Sequence, residues 1–468
     1  MSSAAVAQLR REPAESILVR SPFTGEVVGA VPRGGGADVA RAAAAAKAAA
    51  RLAPEERGEV LRAGARALDA RRDEFAVLIT RESGVCLKDS RREVERARLN
   101  LVTAAEEASR IHGEALTVPD GGGRKLALTL REPVGVVGAI TPFNRPLNQV
   151  VVKVAPAVAA GNAVVVKPSE KTPLSALALA ELLHECGLPR AALGVVVGDG
   201  AEVGQALARD RLVDMVTFTG SAATGELVAR AAAGKKLTLE LGGNDPLIVL
   251  DDGDLEVAAR LAARQAYASA GQSCRGVKRI IAAETVAGEL VARLADETER
   301  FRCGNPLDPQ TDVGPLIDEP AAARVEARCA QAVRDGARIV RGGDRVGALH
   351  SPTVLDRVSP TTALVVRETF GPVAPVISVR DDEMAIAIAN STPYGLQAGV
   401  VTADFERFMR IAMRLQVGAV NLMDGPAFDS PHIPFGGVKR SGFGREGIRY
   451  AIQEMTQIKT ITLPQPGL

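Results

Sequence analysis

The chain has 468 residues, too many for one hydrophobic core, so two or three domains are expected. Apolar residues make up 46% and charged residues 24%, and the 57 Lys plus Arg against 56 Asp plus Glu leave no overall basic footprint for nucleic acid. Aromatic residues are only 3%, with no Trp, which disfavours base or sugar stacking as the main activity.

The N-terminal "MSSAAVAQLRREPAES" lacks an apolar core of signal-peptide length. The most apolar run, "VAPAVAAGNAVVV", is broken by Pro156, Gly161 and Asn162. No membrane attachment and a cytoplasmic location are expected. Alanine propensity and a helical period predict helices over 37–75, with Pro54 near one start. A charged helix is predicted over roughly 91–112. "PDGGGRK" (119–125) reads as a turn, and "LALTLREPVG" alternates like an exposed strand. From 134 onward, apolar β-rich runs alternate with helical stretches such as 173–187 and 222–233. That alternation implies a mostly parallel sheet covered on both faces. A second such series follows Cys274, with helices from about 285 and near 382–390. Two α/β units in tandem, with a cleft between them, are expected.

Cys86, Cys186, Cys274, Cys303 and Cys329 are widely spread, odd in number and form no CxxC pair. A reducing compartment is expected, with no disulfide framework and no zinc site. The four histidines, His112, His184, His350 and His432, form no HExxH motif, so no metal is expected.

Five short stretches carry candidate chemistry, each with a plain structural alternative. "MVTFTGSAATG" runs a strand into Gly220, Ser221 and Gly225, a turn that suits a phosphate or merely caps a helix. "AVVVKPSEKTP" places Lys167 and Glu170 past a strand end, where they suit ribose hydroxyls or simply face water. Asn144 in "AITPFNRPLN" can donate to an oxyanion or shape a turn. Glu240 in "LTLELGGNDP" is a general-base candidate or a salt-bridged strand end. Cys274 in "SAGQSCRGVKR" is a nucleophile or a small buried thiol. It is not a phosphatase cysteine, because the CxxxxxR pattern fails at Ile280.

The succession "TPFN", "VVKPSE", "FTGSxxxG", "LELGG", "GQSC", "ETFGP" and "PFGGVKRSGFGREG" resembles the aldehyde dehydrogenase superfamily. The resemblance covers nearly the whole chain, from "SPFTGEVVGAVP" (21–32) to "IKTITLP". It implies an α/β aldehyde dehydrogenase fold. A Rossmann-like NAD-binding domain would comprise 1–113 and 133–241, and a catalytic α/β domain 242–446. A small β oligomerisation element, 114–132 with 455–468, would support a homodimer or homotetramer. The resemblance assigns Cys274 as nucleophile, Asn144 as oxyanion donor and Glu240 as the base that activates water. It assigns cofactor binding to Thr141, Pro142, Phe143, Lys167, Ser169, Glu170, Gly220, Ser221, Leu241, Gly242, Glu368 and Phe370.

Glu170 favours NAD, since a carboxylate accepts from a ribose 2′-OH and repels a 2′-phosphate, while Lys167 and Lys171 leave NADP possible. Glu240 favours hydrolysis to the free acid, because coenzyme-A-acylating relatives generally lack it. The chain looks most like the branch with phosphonoacetaldehyde, lactaldehyde and glyceraldehyde-3-phosphate dehydrogenases. "EVERA" supplies Arg96 where the phosphonoacetaldehyde enzymes grip an anion. Ser273 stands where those enzymes have Arg, and Arg145 where they have His, so the grip is rearranged. Arg96, Arg145, Ser273, Arg275 and His432 are the substrate-binding candidates. The expected substrate is a small anionic aldehyde such as a phosphonoaldehyde. Lactaldehyde, succinic semialdehyde and NADP-dependent glyceraldehyde 3-phosphate oxidation are the alternatives. A catalytically silent scaffold has no need of Cys274, Glu240, Asn144, Lys167 and Glu368 together.

Overall fold

The strands Val136–Ile140, Ala163–Lys167 and Met215–Thr219 are buried at every residue. Near-continuous apolar strands of this kind suit a parallel sheet covered on both faces. In the computed structural model they lie at the centre of a six-stranded sheet. Its order is Gly442–Phe443, Lys236–Glu240, Met215–Thr219, Val136–Ile140, Ala163–Lys167, Leu193–Val195. Five strands run parallel, and Gly442–Phe443 pairs antiparallel with Leu239 and Glu240. Strand order reverses beside Val136–Ile140, which opens a crevice at the carboxyl ends of the strands.

The structure describes residues 16–121 and 123–464. The leader reading and the start of the expected cofactor domain (1–15), Gly122 of the expected turn, and the end of the expected oligomerisation element (465–468) lie outside them.

The chain leaves this sheet at Glu240 and, after five intervening residues, enters a second one at Pro246. The seven strands of the second sheet are ordered Arg338–Arg341, Thr353–Asp356, Val373–Val379, Arg279–Ala283, Pro246–Val249, Gln397–Val401, Ala419–Leu422. All neighbours are parallel except Arg338–Arg341 against Thr353–Asp356. Gly442–Phe443 then returns to the first sheet, within the stretch expected to be catalytic.

A third, antiparallel sheet joins Thr456–Pro464, Gly123–Pro133 and Ala115–Asp120. Leu128 faces Ile461 across the strands, and Leu126 faces Leu463. With Leu130 they make one apolar face, on which Leu130, Ile461 and Leu463 are 43%, 40% and 43% exposed.

Two local readings need correction. The predicted turn over 119–125 is narrower, because Pro119 and Asp120 are strand residues paired with Arg124 and Gly123. Pro119 is tolerated there because its strand is at the sheet edge. The helix predicted over 91–112 runs instead from Leu87 to Glu107. Beyond its end, Gly113 lies hard against strand Gly123–Pro133; a Cβ there would fall 1.6 Å from the Thr129 carbonyl oxygen. No helix among the described residues is long and apolar enough to cross a membrane.

Candidate active site

The segment Leu241–Asp245 that joins the two large sheets is wholly buried. It has room for no side chain at its glycines. A Cβ on Gly243 would sit 2.3 Å from the Cys274 carbonyl oxygen, and one on Gly242 would sit 2.2 Å from Glu368 Oε2. A Cβ on Gly271 would likewise fall 2.0 Å from the Gly371 carbonyl oxygen. Glycine is required where backbones approach this closely. The "LELGG", "GQSC" and "ETFGP" motifs, far apart in sequence, therefore meet.

Cys274 is delivered by a strained turn. Helix Leu255–Tyr267 is followed by Ser269, Ala270 and Gly271 at φ 52°, 55° and 71°. Left-handed Ser and Ala cost of order 1–3 kcal/mol each, so the surroundings must hold them. Lys278 Nζ donates to the Gly271 carbonyl at 2.5 Å, and Gln272 Oε1 accepts from the Ile317 N–H at 2.9 Å. Asn144 Nδ2 donates to the Gln272 carbonyl at 2.8 Å, which ties the "TPFN" loop to the cysteine loop.

Cys274 is half-buried and opens onto a cavity of about 830 Å³. Asn144, Arg96, Arg145, Ser273 and Arg275 line the same cavity. His432 does not: it is exposed, and Phe428–Pro431 and Phe435 line that side instead. Arg275 lies over the Phe435 ring at 5.8 Å. Burial pushes the Cys274 thiol up to about 12; Arg275 pulls it down, while Glu368, Asp245 and Glu240 push it up.

Glu240 is buried, and neither carboxylate oxygen has a hydrogen-bond partner among the described residues. Burial raises its pKa well above the usual carboxylate range, and Glu446 adds to this, against Lys153 and Arg445. Lys153 is itself buried; it pairs with Glu446 and donates to Thr217 Oγ1 at 3.2 Å. Glu446 and Gln149 line the cavity, and Gln149 Oε1 is buried without a partner. Sequence reasoning missed Lys153, Glu446 and Gln149. A signal existed for two of them. Lys153 interrupts the apolar run "VVVKVAPAVA", and Gln149 lies one helical turn after Arg145, on the same side.

The remaining candidates gather at the crevice of the six-stranded sheet. Thr141, Gly220 and Leu241 each follow a parallel strand, and Lys167 ends one. The Thr141 N–H donates to the Lys167 carbonyl at 3.1 Å, and the Gly220 N–H donates to the Glu240 carbonyl at 3.0 Å. Leu241, half a step further on, donates its N–H to the Ser441 carbonyl at 2.9 Å. Lys167 Nζ meets Glu170 Oε2 at 2.9 Å. Ser169 Oγ accepts from the Lys171 N–H, and Ser221 Oγ caps helix Ala222–Ala231. Pro142 and Phe143 are half-buried, and Phe143 meets Phe370 edge-on at 6.0 Å. Burial raises the Glu368 carboxyl to about 7, against Lys278. Glu368 Oε1 and Thr141 Oγ1 are buried and orphaned among the described residues. Such unpaired oxygens beside a glycine-bearing βα turn suit the hydroxyls and phosphates of a dinucleotide.

This convergence brings a cysteine, an amide and a buried carboxylate together beside the crevice of an α/β sheet. A profile of the aldehyde dehydrogenase family matches residues 9–461. A 3-sulfolactaldehyde dehydrogenase of Priestia aryabhattai is 43% identical over 454 residues, which cover 96% of this chain and 95% of that one. A lactaldehyde dehydrogenase of Methanococcus maripaludis strain C5 is 40% identical over 416 residues, 88% of each chain. A crystal structure of glyceraldehyde-3-phosphate dehydrogenase from Methanocaldococcus jannaschii, complexed with NADP, superimposes with a TM-score of 0.94. It is 36% identical and covers 98% of this chain and 100% of that one. The chain belongs to the aldehyde dehydrogenase family and is an NAD(P)-dependent aldehyde dehydrogenase. The aldehyde dehydrogenase fold expected from the motifs is the one observed.

Gly243→Ala tests the close packing behind Cys274. A displacement near 1 Å costs about 100-fold in rate, so kcat should fall by ~100-fold with the protein still folded by circular dichroism. An unchanged kcat would mean that the cysteine loop tolerates the shift.

Proposed function

We propose that the enzyme oxidises a small aldehyde carrying a fixed anionic group to the free acid, with NAD as acceptor. The observation that supports this most strongly is the meeting of Arg96, Arg145 and Arg275 in the cavity that Cys274 and Asn144 enter. Guanidinium groups suit the oxygen faces of sulfonate, phosphonate or phosphate. A lactaldehyde dehydrogenase among the relatives keeps the neutral aldehyde as a second reading.

In this reading the Cys274 thiol loses its proton to solvent water, and its sulfur bonds to the aldehyde carbon. The resulting oxyanion accepts hydrogen bonds from Asn144 Nδ2 and the Cys274 N–H. When bound, the cofactor supplies a nicotinamide ring that accepts the hydride from that carbon. A thioester is left on Cys274. Glu240 then removes a proton from water, whose oxygen attacks the thioester carbon. The carbon–sulfur bond breaks, and the acid leaves. Lys153 and Glu446 lie beside Glu240 and bias its charge. For the cofactor, Lys167 and Glu170 would contact the adenosine ribose, and Gly220 and Ser221 would face the pyrophosphate. Thr141, Pro142, Phe143, Ser169, Leu241 and Gly242 would line the rest of that path. Glu368 and Phe370 would hold the nicotinamide ribose and flank the ring. Glu170, held by Lys167, keeps a carboxylate at the expected ribose position, which supports NAD over NADP.

The exposed Leu130, Ile461 and Leu463 support a homodimer or homotetramer through the third sheet, since a stripe of this kind is unfavourable in water.

Cys274→Ala should abolish NADH formation while NAD still binds; retained turnover sinks the nucleophile assignment. Glu240→Gln should slow thioester hydrolysis more than hydride transfer, seen as a larger NADH burst relative to the steady rate. In the wild type the raised Glu240 pKa means that its basic form appears only as pH rises through that value. Hydrolysis-limited turnover should therefore keep climbing with pH beyond the range where an ordinary carboxylate is already ionised, and a profile that levels off in that ordinary range removes Glu240 as the base. Arg145→Ala should raise KM for anionic aldehydes about 10-fold or more and leave lactaldehyde far less affected, since a charge-assisted contact is worth about 1.5–3 kcal/mol. A uniform loss would place Arg145 outside the substrate's reach. Ile461→Glu should give a smaller species by analytical ultracentrifugation; an unchanged mass would point to another interface.

A further inference from the structure

Lys278 is a buried cation whose part in the chemistry is so far only that of a brace. It stands four residues after Cys274, just ahead of strand Arg279–Ala283. A buried ammonium is costly unless it is paired and hydrogen-bonded. Lys278 has no carboxylate within ion-pair distance among the described residues, and its one side-chain hydrogen bond there goes to the Gly271 carbonyl. An ammonium has three N–H donors, so two have no acceptor among those residues.

The ammonium lies between two strained segments. On one side is the cysteine turn, with Ser269 and Ala270 left-handed and Gly271 accepting from Lys278. On the other is the Glu368–Phe370 loop. There Phe370 is left-handed at φ 54°, and Lys278 Nζ lies over its ring, 5.5 Å from the centroid. Strained backbone persists only where its surroundings hold it, and a cation over an aromatic face is attracted to that face. One side chain thus contacts both segments.

Glu368 shares this interior. Burial raises its carboxyl to about 7, and the strongest opposing influence is Lys278, ahead of the Gly243 N–H and Arg328. In the other direction, burial lowers the Lys278 pKa, and Glu368 opposes this first, before Cys274 and Asp245. The other neighbours have partners of their own. Arg328 donates to the Glu368 backbone carbonyl. Tyr394 also faces Glu368 and is raised by burial and by its charge. Asp245 is raised by burial, and the Gln397 backbone and Arg279 counter this before Lys278 does. Glu368 is therefore the acidic group to which Lys278 is most strongly coupled.

We propose that Lys278 is a positioning residue for the cofactor: its ammonium, fixed on the Gly271 carbonyl and lying over the Phe370 ring, holds the cysteine turn against the Glu368–Phe370 loop and presents Glu368 to the cofactor's ribose hydroxyls as a carboxylate. An ionised carboxylate accepts hydrogen bonds roughly twice as strong as those of a neutral acid. This rests on the reading of Glu368 as the contact to the nicotinamide ribose, and it names the residue that tunes that contact.

The test is NAD binding by isothermal titration calorimetry as a function of pH. The ionised form of Glu368 is the tighter binder, so in the wild type log Kd should fall as pH rises and level off above a break at about 7. Lys278→Met removes the charge and keeps the stem. It should move the break up by about one pH unit or more, since an opposite charge at this range lowers a carboxyl by about 1–3 pH units. Lys278→Gln, which keeps a donor for the Gly271 carbonyl, should move it equally, and Lys278→Arg should leave it near the wild-type pH. A brace with no electrostatic part would change Kd evenly across pH. A break that stays in place in the neutral variants, or that moves as far in Lys278→Arg, overturns the proposal. If neither neutral variant folds, the Lys278→Arg break decides alone. Glu368→Gln should abolish the break; a break that survives there overturns the ribose reading instead.

Discussion

The site depends on a steric constraint: backbone passes so close to backbone at Gly243 and Gly271 that no side chain fits, and Gly242 lies against the Glu368 carboxylate. Through these contacts the joining segment touches both the cysteine loop and the Glu368 loop. The residues concerned come from separate parts of the chain, yet their relative placement leaves almost no slack. The left-handed Ser269 and Ala270 are affordable only in such a setting, because the docking of Gly271 on Gly371 and the hydrogen bonds of Gln272 and Lys278 hold them. Nucleophilic chemistry needs this placement, since reacting atoms must meet within a fraction of an ångström.

Two charged groupings lie around that junction. On the sheet side, Glu240 sits beside the buried Lys153–Glu446 pair, where burial favours its neutral form. On the cavity side, arginines and carboxylates are mixed, with Arg275 beside Asp429. Burial and three carboxylates outweigh Arg275 and hold the Cys274 thiol pKa above its usual range.

Much of this was legible in the residues. The buried parallel strands announced themselves as unbroken apolar runs, and the ordered motifs placed Cys274, Asn144 and Glu240 before any geometry was known. What escaped was set by long-range packing. Lys153 reads as an oddity within an apolar helix, and only the fold reveals that its partner is Glu446, 293 residues away. Asp429 looks like a loop residue until Arg275, from another part of the chain, closes on it. His432 belonged to the right loop, yet the chain turns it outward and offers Phe435 to the cavity.

The central claim is that the aldehyde becomes a thioester on Cys274. It is tested most directly by peptide mass mapping of Glu240→Gln protein quenched after mixing with NAD and 3-sulfolactaldehyde. The account predicts an acyl adduct confined to the peptide that contains Cys274. NADH formed with no adduct there, or an adduct on Cys86, Cys186, Cys303 or Cys329, would contradict it.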